Sequence, residues 1–128
     1  MDAEIKQIYN RFSGKLIGET KMKTQVCKAV VRLPKDLIAK ITSTCWFVSS
    51  FKDAWGFTFT GNDLTNQHLI FLSDDLLNQS DSQIQFSILH EIGHVVLNHR
   101  NSVSVTQTQT EIKRQELEAD AFANQYLF

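Results

Sequence analysis

The stretch S-Q-I-Q-F-S-I-L-H-E-I-G-H-V-V-L, residues 82–97, decides how this chain is read. Its centre is His90-Glu91-Ile92-Gly93-His94, the HEXXH order. Histidines four positions apart project from one face of a helix, so both imidazoles can reach a single ion. A glutamate beside the first histidine can take a proton from a water held at that ion. The neighbouring residues predict the helix that this geometry needs. Ser82 with Gln85 three positions on fits a capping box. Ile84, Ile88, Ile92 and Val95 recur at helical spacing and mark a core face. His90 and His94 lie off that stripe, between Phe86 and Leu97. Gly93 costs helix stability relative to alanine. Its use would be steric, letting another element come close beside His94. The plain alternative is a buried helix with two incidental histidines.

A catalytic zinc ion usually has three protein ligands and a water. The third ligand is expected downstream, from a helix over E-I-K-R-Q-E-L-E-A-D-A-F-A-N-Q-Y-L, residues 111–127. Thr108 with Glu111 forms a second capping-box pair. Glu116, Ala119, Asp120, Ala123 and Leu127 share one face of that helix. The alanines would let it approach the first helix, and Glu116 would then reach the metal. Asp120, one turn on, could accept the free ring N–H of a zinc-bound histidine and fix its tautomer. Glu118 and Glu111 compete for the ligand role. Two helical steps of roughly 100° turn Glu118 away from the Glu116 face. Glu111 sits in the first turn, where a carboxylate already has a capping and dipole role.

HEIGHVVLNH followed by R-x-E-x-E-A-D-x-F-A resembles the gluzincin metallopeptidases, and most closely the ImmA/IrrE-type family and minimal single-domain gluzincins. The matching residues are His90, Glu91, His94, His99, Arg114, Glu116, Glu118, Ala119, Asp120, Phe122 and Ala123. The resemblance spans roughly residues 69–127 and is strong in the two helices. It implies that His90, His94 and Glu116 bind zinc and that Glu91 is the base. Family members often continue with Leu-Leu-Met-Pro and a further region, so regulatory roles attached to that region are not implied here. The family also includes proteins that act on transcriptional repressors. A repressor is therefore one candidate partner, either cleaved or only bound by a non-catalytic regulatory module. The intact Glu91 favours catalysis, since a binding module needs no general base. The HEXXHXXGXXH pattern of metzincins is not met: Leu97 and Arg100 stand where its glycine and third histidine would fall. His99 reads as a histidine near a helix C-terminus, where positive charge is favourable.

The expected reaction is zinc-dependent endopeptidase hydrolysis of a peptide or protein substrate, with Glu91 as general base and one Zn2+ per chain. A further donor to the carbonyl oxygen as it gains charge is expected. His68, Arg114 and Tyr126 are the candidates, and all three stay open.

One zincin-like α+β domain over residues 1–128 is expected, with a small mixed sheet, an active-site helix and a C-terminal glutamate helix. The chain is long enough to bury a core, and its 42% hydrophobic content is ordinary for a soluble protein. No apolar run approaches the roughly 20 residues of a membrane span. The start Met1-Asp2-Ala3-Glu4 lacks a signal-peptide pattern, so a cytoplasmic location is expected. In that setting Cys27 and Cys45 read as buried thiols.

Ile5, Ile8, Tyr9 and Phe12 predict a first helix stopping at Gly14. Residues 26–33 are apolar and β-branched and predict a strand. Pro34 starts a second helix through Leu37, Ile38 and Ile41. Residues 45–51, 55–60 and 68–72 predict three more strands. An edge strand above the metal could grip an extended substrate through main-chain bonds. Trp55, Gly56, Phe57, Thr58, Phe59 and Thr60 form the candidate.

Residues 1–40 hold nine Lys/Arg and four Asp/Glu, and the rest hold four and ten. A basic patch can mark a nucleic-acid surface. No reader motif accompanies it, so a nucleic-acid partner is not expected. The basic half could instead pack on the acidic half. The basic, glycine-containing segment 11–24 could lie across the cleft and restrain activity. Its plainer role is a solvated connection.

Overall fold

Apolar residues at helical spacing build most of the molecule. The computed structural model describes residues 3–49, 67–98 and 108–127. In chain order these form α1 (Ala3–Phe12), β1 (Leu16–Ile17), α2 (Thr20–Val30), α3 (Lys35–Thr44), β2 (Cys45–Val48), β3 (His68–Phe71), α4 (Asp74–Leu77), α5 (Asp81–Val96) and α6 (Gln109–Leu127). The fold is α+β and mostly helical. No helix among the described residues is long and apolar enough to cross a membrane.

Ile5, Ile8 and Phe12 bury one face of α1. The helix stops where Ser13 and Gly14 take positive φ, 52° and 86°. Only Gly14 adopts that conformation without a side-chain penalty, as its position in the sequence suggested. Phe12 meets Phe47 of β2 edge to face, with ring centroids 5.9 Å apart.

The sheet has three described strands in the order β1-β2-β3. Leu16 pairs with Phe47, and Cys45 with His68. Both ladders are parallel, so these strands do not form the mixed sheet expected. Parallel pairing follows from the connection: β1 reaches β2 through α2 and α3, the long crossover that a parallel pair requires. The strand expected over residues 55–60 lies outside the described residues.

Residues 26–33 are helix and turn, not strand. Met22, Val26, Ala29 and Val30 recur at helical spacing and are fully buried. Tertiary burial on one helical face outweighs the weak β preference of three valines. The segment 11–24 is also part of the fold. It carries β1 and buries Phe12, Leu16 and Met22. Its strand lies on the opposite edge of the sheet from β3, so it does not lie across the site described below.

At the centre runs α5, with Ile84, Ile88, Leu89 and Ile92 fully buried. Each such side chain contributes roughly 1.5–3 kcal/mol on burial. Ser80, not Ser82, caps it: the Ser80 hydroxyl accepts the Gln83 N–H at 3.2 Å. Gln85 is free of capping and is buried in an amide chain. Its Nε2 donates to Gln25 Oε1 at 3.1 Å, and Arg32 Nε donates to its Oε1 at 3.0 Å. Gln25 Nε2 in turn donates to Asp81 Oδ1 at 3.0 Å, and Arg32 Nη1 to the Leu127 carbonyl at 3.0 Å. This chain ties α2 and the turn that follows it to one end of the α5–α6 pair, where the start of α5 lies beside the end of α6. Cys27 and Cys45 are buried free thiols. Burial pushes each thiol up to about 11.

Candidate metal centre

Close helix packing brings the metal-ligating groups together. A Cβ on Gly93 would lie 3.2 Å from Phe122 Cβ and 3.3 Å from Ala119 Cα. The glycine therefore permits the approach of α6 that its position beside His94 suggested. Ala119 and Ala123 are fully buried along the same seam. The Thr108 hydroxyl caps α6 by accepting the Glu111 N–H at 3.1 Å, as the spacing predicted.

His90 and His94 stand one turn apart on α5, with ring centroids 4.7 Å apart and planes at 85°. Their Nε2 atoms are 3.1 Å from each other. The Glu116 carboxylate spans both: Oε2 lies 3.0 Å from His90 Nε2 and Oε1 3.1 Å from His94 Nε2. Behind the cluster, His90 Nδ1 lies 2.7 Å from Asp120 Oδ1. With the ring proton donated to Asp120, the His90 Nε2 lone pair points at the other two groups. Two imidazole nitrogens and a carboxylate then converge on one point. A cation satisfies that arrangement.

The spacing fits one. Tetrahedral bonds of about 2.0–2.1 Å hold donors roughly 3.3 Å apart, close to the separations seen here. His90, His94 and Glu116 can hold a metal ion, with candidate ligand atoms all within 4.8 Å of one another. The histidine side chains are only 15% and 14% exposed, whereas Glu116 is 54% exposed. The half-buried pair thus lies against the core, and the more exposed carboxylate closes the set from the solvent side. Of the competing glutamates, Glu118 accepts from Arg114 Nε at 3.2 Å on the exposed face of α6, and Glu111 stays in the capped first turn. His99 lies outside the described residues.

Beside the cluster, β3 and the end of α5 border an open cleft of about 270 Å³. Its walls are His68, Leu69 and Ile70 on one side and Glu91, His94, Val95 and Asn98 on the other. Glu91 and one metal-site histidine therefore share a cavity large enough for several atoms of a substrate. Asn98 follows the end of α5 with φ 54°, a left-handed position that asparagine tolerates. An asparagine just past a helix is a readable stop signal, but nothing in its type announces a place in a cleft. The other missed wall residues, Leu69, Ile70 and Val95, read only as core.

The three candidate donors part company. His68 lines the cleft. His68 is exposed, but the partial desolvation of its ring in the cleft wall, and then the charge of Lys40, hold its pKa below the ordinary value for histidine. Arg114 is engaged with Glu118. Tyr126 packs on Phe122, with centroids 4.9 Å apart, and does not border the cleft.

Residues 82–128 match the family model described as Peptidase U49. That span contains both helices of the metal cluster. The match supports a hydrolase that acts on peptide bonds, and hence on peptide or protein substrates. No curated protein and no solved structure gives a significant match to the chain.

Proposed function

We propose that this chain is a zinc-dependent metalloendopeptidase of the gluzincin type, with His90, His94 and Glu116 as ligands and Glu91 as general base. The observation that carries the reading is the convergence of three ligand groups from two helices, with Asp120 seated on the outer nitrogen of His90. Two histidines, a glutamate and an open position are a catalytic zinc arrangement rather than a closed structural one. The family match supports the peptidase half of the reading.

A zinc ion held there supplies a Lewis acid that polarises a peptide carbonyl and makes a nearby water more acidic. The remaining work belongs to the chain. Asp120 accepts the Nδ1 proton of His90 and keeps its Nε2 free for ligation. Glu91, in the cleft wall beside His94, takes a proton from water as the water oxygen bonds to the carbonyl carbon. The carbon–nitrogen bond then breaks. The same proton passes from Glu91 to the departing nitrogen, leaving a carboxylic acid and an amine, which end as carboxylate and ammonium once the acid proton moves to the amine.

The test uses the full chain, a fluorescence-quenched library of random peptides and metal analysis. Wild type should hold one zinc and cleave members of the library. Glu91→Gln should keep the zinc and lose cleavage by a factor on the order of 10²–10⁴. Equal cleavage by the two proteins would remove Glu91 from the mechanism.

A further inference from the structure

We infer that His68 is a catalytic residue of this site: its ring N–H donates a hydrogen bond to the scissile carbonyl oxygen as that oxygen gains negative charge. The inference rests on the metallopeptidase reading above and adds a role that reading does not assign.

Three observations carry it. The first is location. His68 opens β3 and lines the same cleft as Glu91 and His94, so a peptide in that cleft would lie against all three. Arg114 and Tyr126, the other donors of suitable chemistry, are directed elsewhere. The second is support. Backbone pairing of Cys45 with His68 fixes the start of β3 to the strand that continues directly from α3. A donor on a paired strand is held in place before the reaction, which is what makes such a group effective. The third is exposure. His68 is exposed, unlike its strand neighbour Ile70, which is buried in the core. Its ring is therefore not used up in packing. A neutral imidazole carries one N–H and can donate without losing its proton, so no proton bookkeeping is added to the step.

The wall opposite to Glu91 is where such a donor is needed. Glu91 delivers water to one side of the carbonyl carbon, and the oxygen that accumulates charge must meet a donor elsewhere in the cleft. Leu69, Ile70 and Val95 offer no side-chain donor, and the Asn98 amide follows the helix that carries Glu91, on the same wall as the base.

The test compares His68→Ala and His68→Gln with wild type, all zinc-loaded, on the best-cleaved peptide from the random library. His68→Ala should lower kcat by a factor on the order of 10² with little change in KM. His68→Gln, which keeps an N–H donor, should recover part of the loss. A second readout separates this from a structural role. A phosphinic analogue of the same peptide, which mimics the tetrahedral carbon, should bind His68→Ala more weakly by a similar factor. The unmodified peptide should bind Glu91→Gln and Glu91→Gln/His68→Ala equally. Zinc content and circular dichroism should match wild type in each variant. Wild-type kcat in His68→Ala, or a rise in KM alone, would overturn the role of His68 and leave the metallopeptidase reading intact. Cleavage by Glu91→Gln at the wild-type rate, or a wild type without zinc, would overturn both.

Discussion

The two halves of α5 are tied to their neighbours by different chemistry. In its first half, Gln85 joins Gln25, Arg32 and Asp81 in a chain whose donors and acceptors match. In its second half, His90 and His94 meet Glu116 with donor atoms 3.0–3.1 Å apart. The first network joins amide, guanidinium and carboxylate groups of the polypeptide to one another. The second gathers groups that could hold a metal ion. Buried polar groups are stable when every member is satisfied and costly otherwise. One half of the helix thus secures the fold by itself, and the other is left poised for a ligand.

This contrast predicts separable effects. The largest belongs to the metal half. Zinc at a hundred times its dissociation constant should stabilise wild type by about 2.7 kcal/mol. Glu116→Ala should abolish stoichiometric zinc binding and that increment, with little change in metal-free stability. Asp120→Ala should weaken zinc affinity by roughly 10- to 100-fold, through misorientation of His90. Thermal melts with and without zinc, alongside metal analysis, read both. An unaltered increment in Glu116→Ala would show that Glu116 is not a ligand.

A smaller effect is expected in the amide half. Gln85→Ala removes the partner of Gln25 Oε1 and of Arg32 Nε and should cost about 1–3 kcal/mol. The loss should be equal with and without zinc. If it appears only in the zinc-loaded protein, the two halves are coupled and the comparison fails.

Smallest is a pH effect in the core. Folding raises the Cys27 and Cys45 thiols from 9.0 to about 11. The unfolded chain therefore releases these protons first as pH rises. Stability from this source is constant below 9.0, falls between 9.0 and about 11, and levels off above that window. Near pH 9.5 the loss should be under about 1 kcal/mol per thiol. Urea midpoints of wild type and Cys27→Ala across that range measure it. Identical slopes would assign the alkaline loss to other groups.

The metal cluster was legible because its chemistry is written in fixed spacing. His90 and His94 need only the helical repeat to meet, and Glu116 and Asp120 need only one further helix and its alanines. Gly93 was legible for the same reason. The cap of α5 was misread by two positions because Ser80-Asp81-Ser82-Gln83 offers two serines, and Ser80 with Gln83 obeys the same spacing rule as Ser82 with Gln85. Residues 26–33 are rich in valine, which favours a strand, but the helical spacing of buried residues that begins at Met22 decides their structure. The two-residue β1 is too short to show any period. The cleft was not legible because its walls come from β3 and α5, whose juxtaposition depends on the sheet register.

Gly93 also sets the moment at which chemistry can begin. The residues of the candidate metal cluster come from two helices, and the glycine contact with Phe122 and Ala119 lets those helices lie so close. A chain still being synthesised, or one partly unravelled, holds His90 and His94 without Glu116. It has no complete cage for the ion. Hydrolytic competence would then arrive together with the docked helix pair, and damage that parts the helices would silence the protein before it unfolds.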